Sequence, residues 1–304
     1  MNLSIEDQLI TEYYQRLQKR LTYTILTSLL IIGIIGCVFN TIIFLGPYFK
    51  SSSCSRYYLA SSFANAFQLI FGLTSSILDF GFSIHPHHHS SILCKFRNYS
   101  ITIGGFLSQT YLLFACIDRY LITTSYRRMS RIVIANRIIF YITCFWFISL
   151  SHILIYSQIS SSKHCFFSSS FYTIFISLHN LVLSGLILPI LLIVFGLLTM
   201  KNIHQIRRQV RVRTRRNHYL SLMLLTNVAV NVTFTLIYTI GLIYLSFFKS
   251  DENNHPLLKR RLISLISIIF YYIPYTISFY INILTSQRFR CELKKSLHFY
   301  RIKI

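Results

Sequence analysis

Seven long stretches without a single Lys, Arg, Asp or Glu limit what this chain can fold into: residues 21–46, 57–78, 98–117, 138–162, 166–200, 219–248 and 262–287. A helix rises about 1.5 Å per residue and a bilayer core is about 30 Å thick, so about 20 apolar residues cross it. A spanning strand needs only about 10 residues and alternates with period two. These stretches are longer and do not alternate, so each predicts a membrane helix. Gly104, Gly105, Pro189 and Pro274 fall inside them, which membrane helices tolerate because neighbours and waters satisfy the freed backbone groups. Composition agrees: 53% of the 304 residues are hydrophobic, 12% are charged and mean hydropathy is +0.53, outside the range of ordinary soluble domains. The expectation is an all-α membrane protein, a seven-transmembrane-helix bundle over 21–287. A tail precedes it at 1–20, and a short amphipathic eighth helix follows at 288–304.

Basic residues orient the bundle. With the N-terminus outside, the four inner segments hold two, five, seven and six Lys or Arg, twenty of the thirty in the chain. That excess predicts an outer N-terminus and an inner C-terminus, although Arg16, Lys19 and Arg20 flank the first helix on its outer side. The net charge of +22 is spread over membrane flanks. It therefore points to anionic lipid and acidic inner partners, not to nucleic acid. No cleavable signal peptide is visible, and the first helix is expected to act as its own signal. Asn2 opens an Asn-Leu-Ser glycosylation sequon in the outer tail; the sequons at Asn98 and Asn231 fall on helices and read as chance matches.

No two of the seven cysteines stand at C-x-x-C spacing, which argues against a metal framework. Cys37, Cys116 and Cys144 lie inside helices as small packing residues. Cys94 and Cys165 both fall on the oxidising side, where a loop-tethering disulfide and two free thiols are the alternatives. Cys291, just past the seventh helix, suits palmitoylation or an idle thiol. His85, His87, His88 and His89 share one loop, which reads as a zinc or proton sensor or as a plain polar loop. There is no nucleophile–base set and no phosphate loop, so neither catalysis nor a cofactor is expected.

Asp118-Arg119-Tyr120 ends the third stretch. An ionisable residue at the rim of a membrane helix is costly and is either functional or snorkelling. The neighbouring Asp118 carboxylate offers Arg119 a salt bridge. Arg207, Arg208, Arg211 and Arg215 recur at three- and four-residue intervals within the basic run 201–216, on one helical face. That face reads as a partner surface or as a topology signal.

Taken together, these residues resemble the rhodopsin-like (class A) G-protein-coupled receptors over essentially the whole chain. Asn40, four residues after Gly36, is similar to the family's first-helix asparagine. Cys94 and Asp118-Arg119-Tyr120 match its third helix in identity and spacing, Trp146 its fourth-helix tryptophan and Pro189 its fifth-helix proline. Phe289-Arg290, with Leu293 and Leu297, is similar to the start of its eighth helix. The resemblance implies a Cys94–Cys165 disulfide and an inner cleft, floored by Arg119, that receives a heterotrimeric G-protein. It also implies an extracellular ligand held between helices beneath the tethered loop, and a place in the plasma membrane.

The departures are specific. Phe63 or Asn65 stands where the family has its second-helix aspartate, and Thr235 and Ile237 replace the sixth-helix tryptophan and proline. The seventh-helix Asn-Pro-x-x-Tyr reads Ser278-Phe279-Tyr280-Ile281-Asn282. The internal relay is thus altered. Ile101 occupies the position of the amine receptors' aspartate, which argues against a monoamine. Arg97, Lys95, Lys163, Lys259, Arg260 and Arg261 give the outer mouth a positive rim, which reads as suited to an acidic ligand or a peptide or as headgroup-binding flanks, and Asp79 could equally cap a helix or pair with Arg97. Arg97, Ile101, Thr102, Gly105, Phe106, Gln109 and His179 are the pocket candidates. A transporter or channel, and a receptor-like scaffold that does not signal, are the competing readings.

Overall fold

The structure, a computed structural model, describes residues 5–82, 90–124, 131–159, 165–167, 169–209, 214–247 and 256–303. Seven of its helices are long and apolar enough to cross a membrane: α1 (Thr11–Leu45), α2 (Ser53–Phe82), α3 (Ser91–Thr123), α4 (Ile132–Tyr156), α5 (Phe171–Ile203), α6 (Leu220–Leu245) and α7 (Lys259–Thr285). An eighth, α8 (Gln287–Lys303), follows directly. The molecule is the expected all-α seven-helix bundle.

Helix α3 is its axis. It packs against α2, α4, α5 and α6, while α7 closes the ring between α6 and α1. In the most apolar part of α3, 78% of residues are buried, against 22% in α4, which therefore lies at the periphery. The outward faces carry large apolar side chains such as Ile31, Phe140, Ile148, Phe171 and Leu284, as contact with lipid tails requires. Small residues bring helices together where lipid supplies no hydrophobic drive. A Cβ at Gly33 would stand 2.6 Å from Leu69 Cδ1 and 3.3 Å from Thr276 Cα, and one at Gly36 would stand 3.1 Å from Phe279 Cβ. Helix α1 therefore rests directly on α7.

Local chemistry sets the breaks. Gly46 is extended ahead of Pro47, which opens the short turn Pro47–Lys50 between α1 and α2; a residue preceding proline is driven out of the helical region. Ser286 separates α7 from α8 and caps the latter, its Oγ accepting the Phe289 amide at 3.2 Å. The Arg290 guanidinium then donates to the Ile283 and Leu284 carbonyls at 2.8 and 3.1 Å, satisfying the last turn of α7. Phe289 is fully buried against Phe44, Phe49 and Phe279, and Leu297 is half exposed. Pro189 follows a π-helical turn, Leu183–Ile187, in α5; the proline has no N–H to return, and the widened turn absorbs the lost bond.

Within the segment expected as a tail, residues 5–20 are helical. The backbone is helical from Ile5 to Leu21 and runs on through a π turn, Thr22–Leu26, into the apolar part of α1. Residues 5–21 are polar but contain no Gly or Pro, and Glu, Gln, Arg, Lys and Leu are good helix formers. Helix propagation therefore continues beyond the apolar stretch.

Two short strands, β1 (Ser157–Ile159) and β2 (Cys165–Phe167), pair antiparallel with Ser157 opposite Phe167 and Ile159 opposite Cys165. The Cys94–Cys165 disulfide joins this hairpin to the start of α3. Asn98 reinforces the join, its Nδ2 donating to Ser157 Oγ at 3.2 Å and approaching Cys165 Sγ at 3.6 Å.

Candidate functional site

The two ends of α3 carry different chemistry. Towards the disulfide end, a cavity of ≈ 220 Å³ opens between α2, α3, α5, α6 and α7. Arg97, Ile101, Thr102, Gly105 and Phe106 line it together, because residues three, four and seven apart share one face of a helix. From the other helices come Ser76, Asn180, Ser184, Tyr238, Thr239, Tyr271 and Tyr272. The sequence carries no signal for these, since a polar residue on an apolar helix does not announce which helix it will face.

Arg97 is not an open cation. Its Nη2 pairs with the Asp79 carboxylate and its Nε donates to Ser75 Oγ, so the charge expected at the rim is neutralised by α2 from inside the bundle. Of the other rim residues, Lys259, Arg260 and Arg261 are exposed and do not line the cavity. Arg260 instead donates to the Leu245 carbonyl at the end of α6, at 2.7 Å. Lys163 lies outside the described residues.

Two pocket candidates sit elsewhere. Gln109 is buried one turn deeper in α3, accepting from Ser184 Oγ at 3.2 Å and donating to Thr235 Oγ1 at 3.5 Å. It ties α3 to α5 and α6 below the cavity. His179 lies in an aromatic group between α4 and α5, its ring 5.4 Å from Phe106 and 6.4 Å from His152. Trp146 backs the same wall: its indole stacks on Phe106 at 4.5 Å and donates to Thr110 Oγ1 at 3.0 Å.

At the far end of α3, Arg119 is only 2% exposed. Its Nη2 donates to Ser52 Oγ at 2.8 Å. The Asp118 carboxylate accepts Ser53 Oγ at 2.8 and 2.9 Å, placing the anion at the N-terminus of α2, where the helix dipole favours it. The pair is thus clasped to the two serines that open α2, a contact across 65 and 67 residues that spacing could not reveal. Tyr120 packs edge-on against Phe195 of α5 at 6.0 Å.

Between the two ends runs a layer of buried amides. Asn282 donates to Asn40 at 3.1 Å and accepts from Asn227 at 2.9 Å, linking α7 to α1 and α6. Asn65 accepts from Ser108 of α3. Asn65 is buried and Phe63 is 58% exposed, so it is Asn65 that points into the bundle on α2. Asn282→Ala should cost about 1–3 kcal/mol, since it removes two interhelical bonds and leaves two buried amides short of partners. Thermal unfolding in detergent should show Asn282→Ala and Asn40→Ala to be less than additive; full additivity would mean that the amides do not act as one ladder.

The basic face is only partly in view. Helix α5 continues to Gln209 and carries Arg207 and Arg208 in its backbone path; Arg215 sits in the first turn of the helix Thr214–Phe247 that contains α6. Arg211, Asn2 and the histidines from His85 to His89 lie outside the described residues. Cys291 is exposed on α8. Among the described residues no three His, Cys, Asp or Glu side chains gather as a metal site would require. Compared with models of known protein families and with the sequences of characterised proteins, the chain matches none.

Proposed function

We propose that this chain is a receptor of the rhodopsin-like type, set in the plasma membrane with its N-terminus outside, that couples an extracellular ligand to heterotrimeric G-proteins. The observation that carries the reading is the buried Arg119, held by Ser52 at one end of the same helix whose other end bears the disulfide and the cavity. A ligand bound more tightly by one bundle conformer shifts the population towards it. Release of Arg119 from Ser52 is the local event that would open a partner site. Lipid, a G-protein and an outer ligand are the partners of this reading.

The test is G-protein nucleotide exchange in cells expressing the chain, driven by a library of peptides and small molecules. Arg119→Ala should abolish the response while surface display stays normal. Substrate flux without nucleotide exchange would instead make the protein a transporter. The amide ladder that ties α6 to α7 and α1, in place of the family's tryptophan and tyrosine relay, supports a second reading: a receptor-like scaffold. It is favoured if no ligand elicits exchange from a normally displayed protein.

A further inference from the structure

Charge balance in the cavity points to the class of molecule it holds. Among the described residues Arg97 is the one cation in its lining, and Asp79 already neutralises it, with side-chain exposures of 26% and 14%. The rest of the wall mixes hydroxyls, the Asn180 amide and aromatic rings with the aliphatic side chains of Ile101, Leu181, Leu242 and Ile268. Tyr238 and Tyr271 stand 4.7 Å apart, Tyr271 and Tyr272 5.1 Å, giving an aromatic side facing α3. Gln68 fixes the Tyr271 hydroxyl at 3.3 Å from behind. Asn180 Oδ1 is buried, with the neighbouring His179 ring as a weak partner and no well-formed hydrogen bond among the described residues.

An anionic ligand would have to draw Arg97 away from Asp79, and a cationic one would have to draw Asp79 away from Arg97. Either leaves a largely buried charge, on Asp79 or on Arg97, without its partner, which is unfavourable. An uncharged ligand leaves the pair intact. It can also offer a donor to Asn180, which a buried acceptor needs. At ≈ 220 Å³ the cavity is smaller than the common ligand range of about 300–1,000 Å³. We infer that the cavity between α2, α3, α5, α6 and α7 takes a small, uncharged, partly aromatic molecule that donates hydrogen bonds, not an acidic ligand. This rests on the receptor reading only in taking the cavity as the ligand site.

The full-length protein in lipid nanodiscs can be tested by ligand-observed NMR with three probes of matched size: benzamide, benzoate and benzylammonium. Benzamide should bind saturably and at least tenfold more tightly than either ion. Asn180→Leu should weaken it at least fivefold, and Thr102→Trp, which fills the cavity, should remove it. Asp79→Asn leaves Arg97 without its counter-ion and should raise benzoate affinity at least tenfold. The inference is overturned if either ion binds the unaltered protein as tightly as benzamide, or if no probe binds saturably. It also fails if benzamide binding survives both Asn180→Leu and Thr102→Trp, since the probe is then in the lipid. None of these readouts involves a G-protein. Benzamide selectivity together with absent nucleotide exchange would leave this inference standing and sink the signalling role.

Discussion

Trp146→Ala should destabilise the folded bundle by about 3 kcal/mol. The indole is 7% exposed, stacked on Phe106 and bonded to Thr110. In water such a truncation costs about 3–5 kcal/mol, as lost transfer energy plus a cavity term of about 24 cal/mol per Å³. Inside a membrane the transfer part shrinks, because lipid tails are as apolar as the core. The cavity term remains, and it dominates. Trp146→Phe keeps the stack and loses only the hydrogen bond, so its cost should be about 1 kcal/mol. The buried thiols of Cys37, Cys54 and Cys116 supply the assay: a thiol-reactive dye labels them as the detergent-solubilised protein unfolds on heating. Equal midpoints for Trp146→Ala and Trp146→Phe would show that packing at this site contributes nothing. Phe106 lines the cavity, so Trp146→Ala should also weaken binding there, through a wall that has lost its backing.

Loss of the disulfide is the second large effect. Cys94 and Cys165 are 71 residues apart in sequence, and closing a loop of that size stabilises a soluble protein by about 4 kcal/mol in the chain-entropy limit. Here α3 and α4 stay helical in the membrane even when the bundle comes apart, so less entropy is at stake. Cys94→Ser should therefore cost about 2–3 kcal/mol. A reductant should move the unfolding midpoint of the unaltered protein by the same amount and leave that of Cys94→Ser where it is. If the reductant shifts both equally, the bond is not the source of the effect. Asn98 still holds the hairpin by Ser157, so Cys94→Ser combined with Asn98→Ala should release it fully.

How far the chain could be read follows from the physics of its solvent. Crossing a bilayer is a local requirement of length and apolarity, so the seven helices were legible from composition along the chain. So were the residues that need no partner to be recognised: a lone tryptophan, a charged triplet at a helix end, a cysteine at the start of the third helix and another after the fourth. Arg97, Ile101, Thr102, Gly105 and Phe106 stood among the pocket candidates beside Gln109 and His179, and only the structure separated the first five, which line the cavity, from the other two. The helical backbone back to Ile5 was not legible from the apolar stretch, because apolarity marks the membrane, not the end of helical propensity.

What the sequence determined by itself is thus the number of membrane-crossing helices and the identity of their unusual residues. Only the tertiary structure decided which way those residues face. Hydropathy separates inside from outside when the solvent is water, but lipid and protein interior are equally apolar, so a membrane helix carries little sign of its buried side. Asn65 over Phe63, the neutralisation of Arg97 by Asp79, the clasp of Asp118 and Arg119 on Ser53 and Ser52, and the ladder from Asn40 through Asn282 to Asn227 are all contacts between helices. Hydroxyls such as those of Thr110 and Thr239 can bond within their own helix, but the side chains of these contacts find their partners on another helix, and only the packed bundle brings the two together.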